Sequence, residues 1–443
     1  MKVQRLPVDP GPAGWNVILP PAPPRPVLTD AITADFLVIG AGFAGLSAAR
    51  RLTRAAPGAR IVVLDARRVA EGPAGRNSGF MVDLPHNLAS KDYGGALDAD
   101  RMTIRLNRMA IDFAEDAARE YDMSAEAFDR RGKMNAAATE KGMHHNADFA
   151  RHLAALDEPF AEYDAQKMRE ITGTDYYLGG LYAPGAAIIQ PALYIRGLAD
   201  GIAAAGVEIF ENSPVISLTG GDAWTAETPE GQVKAEKVIL AVNGHAESFG
   251  KFTGRLMHIF TYASMTRELS PTEIATLGGQ PVWECTPSDP LGTSVRRISG
   301  ISGDRILVRN RFTFDPDMEV SDRRIARVAR DHDRAFAARF PMLKGVEMIH
   351  RWGGRLCLSR NDVPAFGMLE PGLYSACCQN GIGTVKGTLS GIMAAELATG
   401  VKSDGLQAML AYDAPVRLPP RPFSTIGANA YIRWGELRAG REL

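Results

Sequence analysis

The sequence predicts an α/β fold: a parallel sheet with helices on its faces, interleaved with an α+β unit built on an antiparallel sheet. Three observations predict it. An apolar strand runs into a glycine turn and a helix near residue 40, a second glycine turn feeds a helix near residue 383, and residues 255–340 alternate apolar and polar side chains. The first turn is the most specific. Phe36-Leu37-Val38-Ile39 leads into Gly40-Ala41-Gly42-Phe43-Ala44-Gly45, an amphipathic helix follows, and the next strand, Ile61-Val62-Val63-Leu64, ends on Asp65. That order is the one a dinucleotide-binding βαβ unit requires, so the parallel sheet is expected to be Rossmann-like. Gly40 permits the tight turn, Gly42 lets the backbone approach a pyrophosphate at the helix N-terminus, and Gly45 keeps helix and sheet close. Asp65, about twenty residues past the last glycine, is placed to accept hydrogen bonds from ribose hydroxyls, with Phe43, Ala44, Ala66 and Arg67 flanking the two turns.

Later elements follow in order. A glycine-rich polar loop, Gly72–Phe80, is too polar to be a core element. Residues 98–170 read as an inserted helical segment. A helix at 191–205 and strands at 208–210, 215–218 and 237–242 return to the sheet pattern, the last ending at Asn243-Gly244. Strand Leu373–Cys378 meets Gly381-Ile382-Gly383, and the following helix carries Val385, Leu389, Ile392, Met393 and Leu397 on one apolar stripe. A second glycine turn at a helix N-terminus suits a flavin, whose N1–C2=O locus gains from amide donors when it carries charge. The expected organisation is an extended, proline-rich arm at 1–30 pinned to the surface by Trp15, Val17, Ile18 and Leu19. The nucleotide-binding domain is expected at 31–97, 171–250 and 346–410, a second domain at 98–170 and 251–345, and a tail at 411–443 anchored by Tyr431 and Trp434.

Bulk composition narrows the function. The 443 residues suffice for two domains. With 50 Lys+Arg against 51 Asp+Glu and a net charge of -1, nothing attracts nucleic acid or anionic lipid, so a small-molecule partner is expected. Four cysteines without zinc spacing, two of them adjacent, fit a reducing cytoplasm, and His144-His145 have no partner at metal-ligand spacing. No apolar run reaches about 18 residues, so no integral membrane span is expected, and the arm lacks the apolar core of a signal peptide.

Four blocks in this order resemble the FAD-dependent amine and amino-acid oxidoreductases of the D-amino-acid oxidase type. They are Val38–Gly45; Ala74-Gly75-Arg76-Asn77-Ser78-Gly79-Phe80; Leu181–Pro191; and Trp352-Gly353-Gly354 through Asp362–Gly367 to Asn380-Gly381-Ile382-Gly383-Thr384. The Gly-Arg-Asn-Ser-Gly-Phe block and the tail look most like the gamma-glutamylputrescine oxidase branch. The resemblance covers residues 34 to 400. It implies a Rossmann-like FAD-binding domain interleaved with an α+β substrate domain containing an antiparallel sheet. It also implies that Val215 reads the adenine, that Arg76, Asn77, Ser78 and Gly79 belong to the loop over the isoalloxazine, and that Gly381, Ile382, Gly383 and Thr384 form the turn at its pyrimidine edge. The chain departs from the pattern at Ala74, where Ser is usual, at Arg309-Asn310, where glycines are common, and at Ile382, where a histidine is common.

Arg309, Arg311 and Lys386 are candidate binders of a substrate carboxylate or of flavin charge, or else solvated charges. Lys386 lies in the first turn of a helix, where the dipole disfavours a cation. His86 fits either a base at the site edge or a surface position. Tyr262 fits a cap over the substrate pocket or the core, and Cys357 a buried thiol or a flavin-attachment site. The expected reaction is FAD-dependent removal of hydride from the C–N bond of a small amine or amino acid, giving an imine that hydrolyses, with oxygen or another acceptor taking the electrons. A flavin-dependent 2-hydroxy-acid dehydrogenase and a non-catalytic dinucleotide-binding protein are the alternatives.

Overall fold

A computed structural model of the chain describes residues 1–85 and 94–443. Strands Glu208–Phe210, Ile61–Leu64, Ala31–Ile39, Gln232–Leu240 and Leu373–Cys377 lie side by side and parallel. Ile61–Leu64 is buried along its whole length, which is why it reads as an unbroken apolar run. Gln232–Leu240 divides its outer edge: its first half pairs antiparallel with Trp224–Glu227 and its last residues pair parallel with Leu373–Cys377. Strand Ala365–Glu370 closes the sheet beyond Leu373–Cys377.

Helices Phe43–Ala55, Pro191–Ala204 and Gly383–Thr399 pack through Leu46, Ala48, Ile195, Leu198, Val385 and Leu389 into one core. Two of these helices approach almost backbone to backbone. A Cβ on Gly391 would lie 2.0 Å from the Ala44 carbonyl oxygen, and one on Gly387 would lie 3.2 Å from the Phe43 Cβ. Glycines four residues apart thus give Gly383–Thr399 a flat stripe against which Phe43–Ala55 lies. Gly45 plays the same part toward the sheet, since its Cβ would sit 1.7 Å from the Gly40 carbonyl oxygen.

The second sheet runs Met348–Ser359, Leu256–Thr266, Arg305–Phe314, Ser294–Ile298, Trp283–Pro287, Lys133–Ala137, Gly179–Ala183, Ala161–Asp164. All neighbours are antiparallel except Trp283–Pro287 with Lys133–Ala137. Several elements differ from their sequence-based placement. Met348–Ser359, expected with the nucleotide-binding strands, pairs along its length with Leu256–Thr266. The segment expected to be helical contributes three strands, because Lys133–Ala137 has no β-branched residue to mark it and is held by neighbours on both sides. Helix Leu97–Glu120 buries Ala110, Ile111, Ala114 and Ala117 in the core of the nucleotide-binding helices.

The arm and the tail differ as well. Of the side chains expected to pin the arm, Trp15 and Leu19 are buried as anchors, while Val17 is exposed. The tail forms a helix, Phe423–Ala439, that turns Ile432, Glu436 and Ala439 inward and leaves Tyr431 and Trp434 outward, so the two aromatic residues are not anchors.

Gly391→Ala is expected to lower the unfolding free energy by about 1–3 kcal/mol through overpacking. The same change at Gly427, a helical glycine with nothing within 4 Å of its Cβ position, is expected to raise it by roughly 0.5–1 kcal/mol. Urea denaturation of the two variants should give opposite signs.

Candidate active site

The packing of Phe43–Ala55 on Gly383–Thr399 brings two helix N-termini to one cavity, lined by Gly40, Gly42, Phe43 and Ala44 at one turn and Gly381, Ile382, Gly383 and Thr384 at the other. Neither helix has a side-chain cap, and neither has an acidic residue in its first turn. Elsewhere the chain does cap helices, with Thr139, Asp164, Gln190, Ser270, Ser321 and Ser403. At the cavity the first-turn amides are left for a ligand that accepts hydrogen bonds. Gly40 has φ +108 and its Cβ would approach the Ala241 carbonyl oxygen to 2.7 Å, so the protein itself requires this glycine. Gly42 is different: its Cβ would meet only the Ala74 Cβ, at 3.6 Å. The space it keeps open is cavity.

Asp65 accepts from the Ala41 amide at 2.7 Å and the Arg67 amide at 2.8 Å, locking the end of one strand to the glycine turn of the other. Burial raises its carboxyl to about 6, against the lowering effect of those two amides. Ala66, Arg67, Val215 and Asn243 line this end of the cavity, and Asn243 has φ +49 with its Oδ1 buried and unpartnered among the described residues.

The loop after the first βαβ unit is braced by its own side chains. Asn77 Nδ2 donates to the Ala74 carbonyl at 2.6 Å and its Oδ1 accepts from the Gly79 amide at 2.8 Å. Gly79, at φ +85, leaves no room for a Cβ against Arg296 Nη1 and the Ile189 carbonyl. Arg296 donates to the Ser78 and Ile189 carbonyls. Arg76 lines the cavity, but its guanidinium is spent on carbonyls of Glu71, Pro10, Gly11 and Gly353. It positions the loop rather than offering its charge to a ligand.

On the second sheet, Arg309 lies opposite Ala263 and Ser294, half-buried, lining the cavity with its guanidinium 4.8 Å from the Phe312 ring centroid. Thr286, Pro287, Pro290 and Ser294 continue this wall. Other expected residues are committed to partners of their own. Tyr262 borders the cavity, but it bonds its hydroxyl to Thr313 Oγ1 at 2.7 Å and packs its ring with Phe260, Ile325 and Val328 beneath helix Asp322–Arg339. Strand alternation therefore gives its neighbours Thr261 and Ala263, rather than the Tyr262 ring, to the opposite face. Lys386 is about 200° around its helix from Thr384 and pairs at 3.9 Å with Asp362, away from the cavity. The role expected for it at the flavin edge is not supported. Arg311 is engaged by Asp331 and Glu436. His86 lies outside the described residues.

Cavity residues that were not anticipated include four buried polar groups. His245 follows Asn243-Gly244 directly, the one signal available. Its Nδ1 meets Ser248 Oγ at 3.0 Å, its Nε2 is buried without a partner among the described residues, and burial lowers it to about 2, so the ring is neutral. Thr261 presents a hydroxyl with no partner among the described residues. Arg355 and Asp9 form a buried pair at 3.6 Å, Asp9 coming from the proline-rich arm, where no motif marks it.

The family model for FAD dependent oxidoreductases matches residues 35–397. The chain belongs to that family. It is 25% identical over 382 residues to a probable oxidoreductase, OrdL, of Haemophilus influenzae, with 85% of each chain covered. It is 27% identical over 419 residues to the gamma-glutamylputrescine oxidoreductase of Escherichia coli, with 90% of each covered. Among solved structures, glycine oxidase from Geobacillus kaustophilus superposes with a TM-score of 0.68 at 17% identity, covering 88% of this chain and 100% of that one. The family's cofactor is FAD, and the site fits it: two uncapped helix N-termini, an acid at the strand end and the space kept open by Gly42 lie along one cavity.

Gly42→Val is expected to give a folded but colourless protein, because the side chain enters the cavity without striking the protein. Absorbance near the flavin band and the melting curve check both halves. A second expectation concerns FAD-stripped protein. With the Asp65 carboxyl raised to about 6 from 3.8, the native state holds more protons than the unfolded chain between those values. Stability therefore falls as pH rises through that window, and Asp65→Asn should flatten the slope in pH-dependent denaturation.

Proposed function

We propose that this FAD-dependent oxidoreductase oxidises the C–N bond of a small amine or amino acid, preferring one with a carboxylate held by Arg309. The observation that carries the reading is the position of Arg309, a half-buried guanidinium on the second sheet that shares a cavity with the Gly381–Thr384 turn. A guanidinium grips a carboxylate through two parallel donors. The similar proteins named gamma-glutamylputrescine oxidoreductase and glycine oxidase support an amine or amino-acid substrate.

FAD, when bound, supplies the hydride acceptor and passes the electrons on to oxygen or another acceptor. The chain's part is placement and environment. Arg309 fixes the carboxylate end of the substrate, while Ala263, Pro287 and Pro290 provide apolar walls that displace water. The first-turn amides of Gly383–Thr399 favour negative charge at the cavity end they face. The amine must reach the site unprotonated, and among the described cavity residues no acid–base dyad is positioned to do more than that. A reducing compartment belongs to the same reading: Cys285, Cys357, Cys377 and Cys378 are all buried and free.

The test is an anaerobic screen of amines, amino acids and 2-hydroxy acids read by flavin bleaching. Amines should bleach the flavin faster as pH rises toward the substrate ammonium pKa; bleaching by 2-hydroxy acids alone would overturn the reading. Arg309→Met should raise KM for a carboxylate substrate by roughly 10- to 100-fold, the loss of about 1.5–3 kcal/mol, and leave the decarboxylated amine nearly unaffected.

A further inference from the structure

The arm crosses the mouth of the FAD cavity from end to end. At the adenine end, the Val3 amide donates to the Ile216 carbonyl and Lys2 bridges to Ser217, beside Val215. At the loop end, Trp15 is fully buried and donates its indole N–H to the Asn77 carbonyl at 2.8 Å, and Gly14 lies so close to Trp352 that a Cβ would come within 2.6 Å of the ring. Between these anchors Val3, Leu6, Pro7 and Asp9 line the cavity.

The span is held in an unusual way. From Arg5 to Ala13 no backbone amide has an acceptor among the described residues, and Pro7, Pro10 and Pro12 carry no N–H at all. Arg5, at its start, is tied to Asp317, and the rest of the span is held by contacts from the elements that surround the cofactor. Arg76, in the loop, donates to the Pro10 and Gly11 carbonyls. Arg355, on Met348–Ser359, faces Asp9 at 3.6 Å. The Asp9 side chain is only 1% exposed, and its second carboxyl oxygen has no partner among the described residues. A buried carboxylate with an unspent acceptor is stabilised by a hydroxyl donor, and the ribose and ribitol of FAD supply that class of group.

We propose that residues 3–9 form a strap across the dinucleotide cavity, latched by Asp9 to Arg355, that closes over bound FAD and sets its residence time. FAD cannot leave along the mouth while the strap is docked, and the strap gains apolar and polar contacts when FAD is present. By linkage each stabilises the other. The proline content lowers the entropy lost when the span docks, since those residues are already extended in the free arm.

The unmodified protein gives the first test. Trypsin should cut Arg5–Leu6 at least about tenfold more slowly in the holoenzyme than in FAD-stripped protein. Equal rates would overturn the proposal. The second test follows flavin fluorescence on dilution of the holoenzyme. Asp9→Asn should release FAD at least about tenfold faster, with Asp9→Glu restoring part of the retention. The melting temperature of Asp9→Asn should fall further below the parent with FAD bound than in FAD-stripped protein, so the upward shift on adding FAD should shrink. Parental FAD release from Asp9→Asn, or an equal fall in melting temperature with and without FAD, would reduce the arm to a structural extension and overturn the proposal.

Discussion

Everything at this site depends on how closely two helices approach. The 2.0 Å that a Gly391 Cβ would leave to the Ala44 carbonyl is less than any side chain permits, so the contact is a contact of backbones. Because the two helices touch along that stripe, their N-termini stand side by side, and their free amides address different parts of a single elongated ligand. One added methyl at the contact would separate the termini and detune both ends of the site together.

Buried charge around the cavity is handled by a consistent device. Arg76 and Arg296 donate to main-chain carbonyls, and Asp65 accepts from main-chain amides. These ionised groups act as struts between loops that would otherwise have no regular hydrogen-bond ladder. His245 is kept neutral by burial among Arg355 and His258, so the cavity wall gains a polar ring without a further cation.

The nucleotide-binding half was readable because its glycines have local causes. Gly40, Gly45 and Gly79 are each demanded by a positive φ or a carbonyl within reach, and such demands leave a fixed spacing in the chain. The cofactor and the antiparallel sheet were readable for similar reasons of pattern. Side-chain direction was not. Lys386 sits on the expected element, yet the helix's turn sends its side chain away from the cavity, and Tyr262, at the cavity's edge, spends its hydroxyl on Thr313. Asp9 and Arg355 are separated by most of the chain and meet only through the tertiary fold, so no local pattern marks them.

The divided edge of Gln232–Leu240 carries a consequence for how the molecule is made. Its last residues await Leu373–Cys377 as a neighbour, and the helix that follows that strand must then lie against one that begins at Phe43. A ribosome will have released the first glycine turn long before the second exists. During that interval the early sheet has an unpaired edge and an uncovered apolar helix face, the state in which a nascent chain is most exposed to wrong pairings. Contacts spanning more than three hundred residues close slowly. The cofactor pocket is thus among the last things this chain can complete.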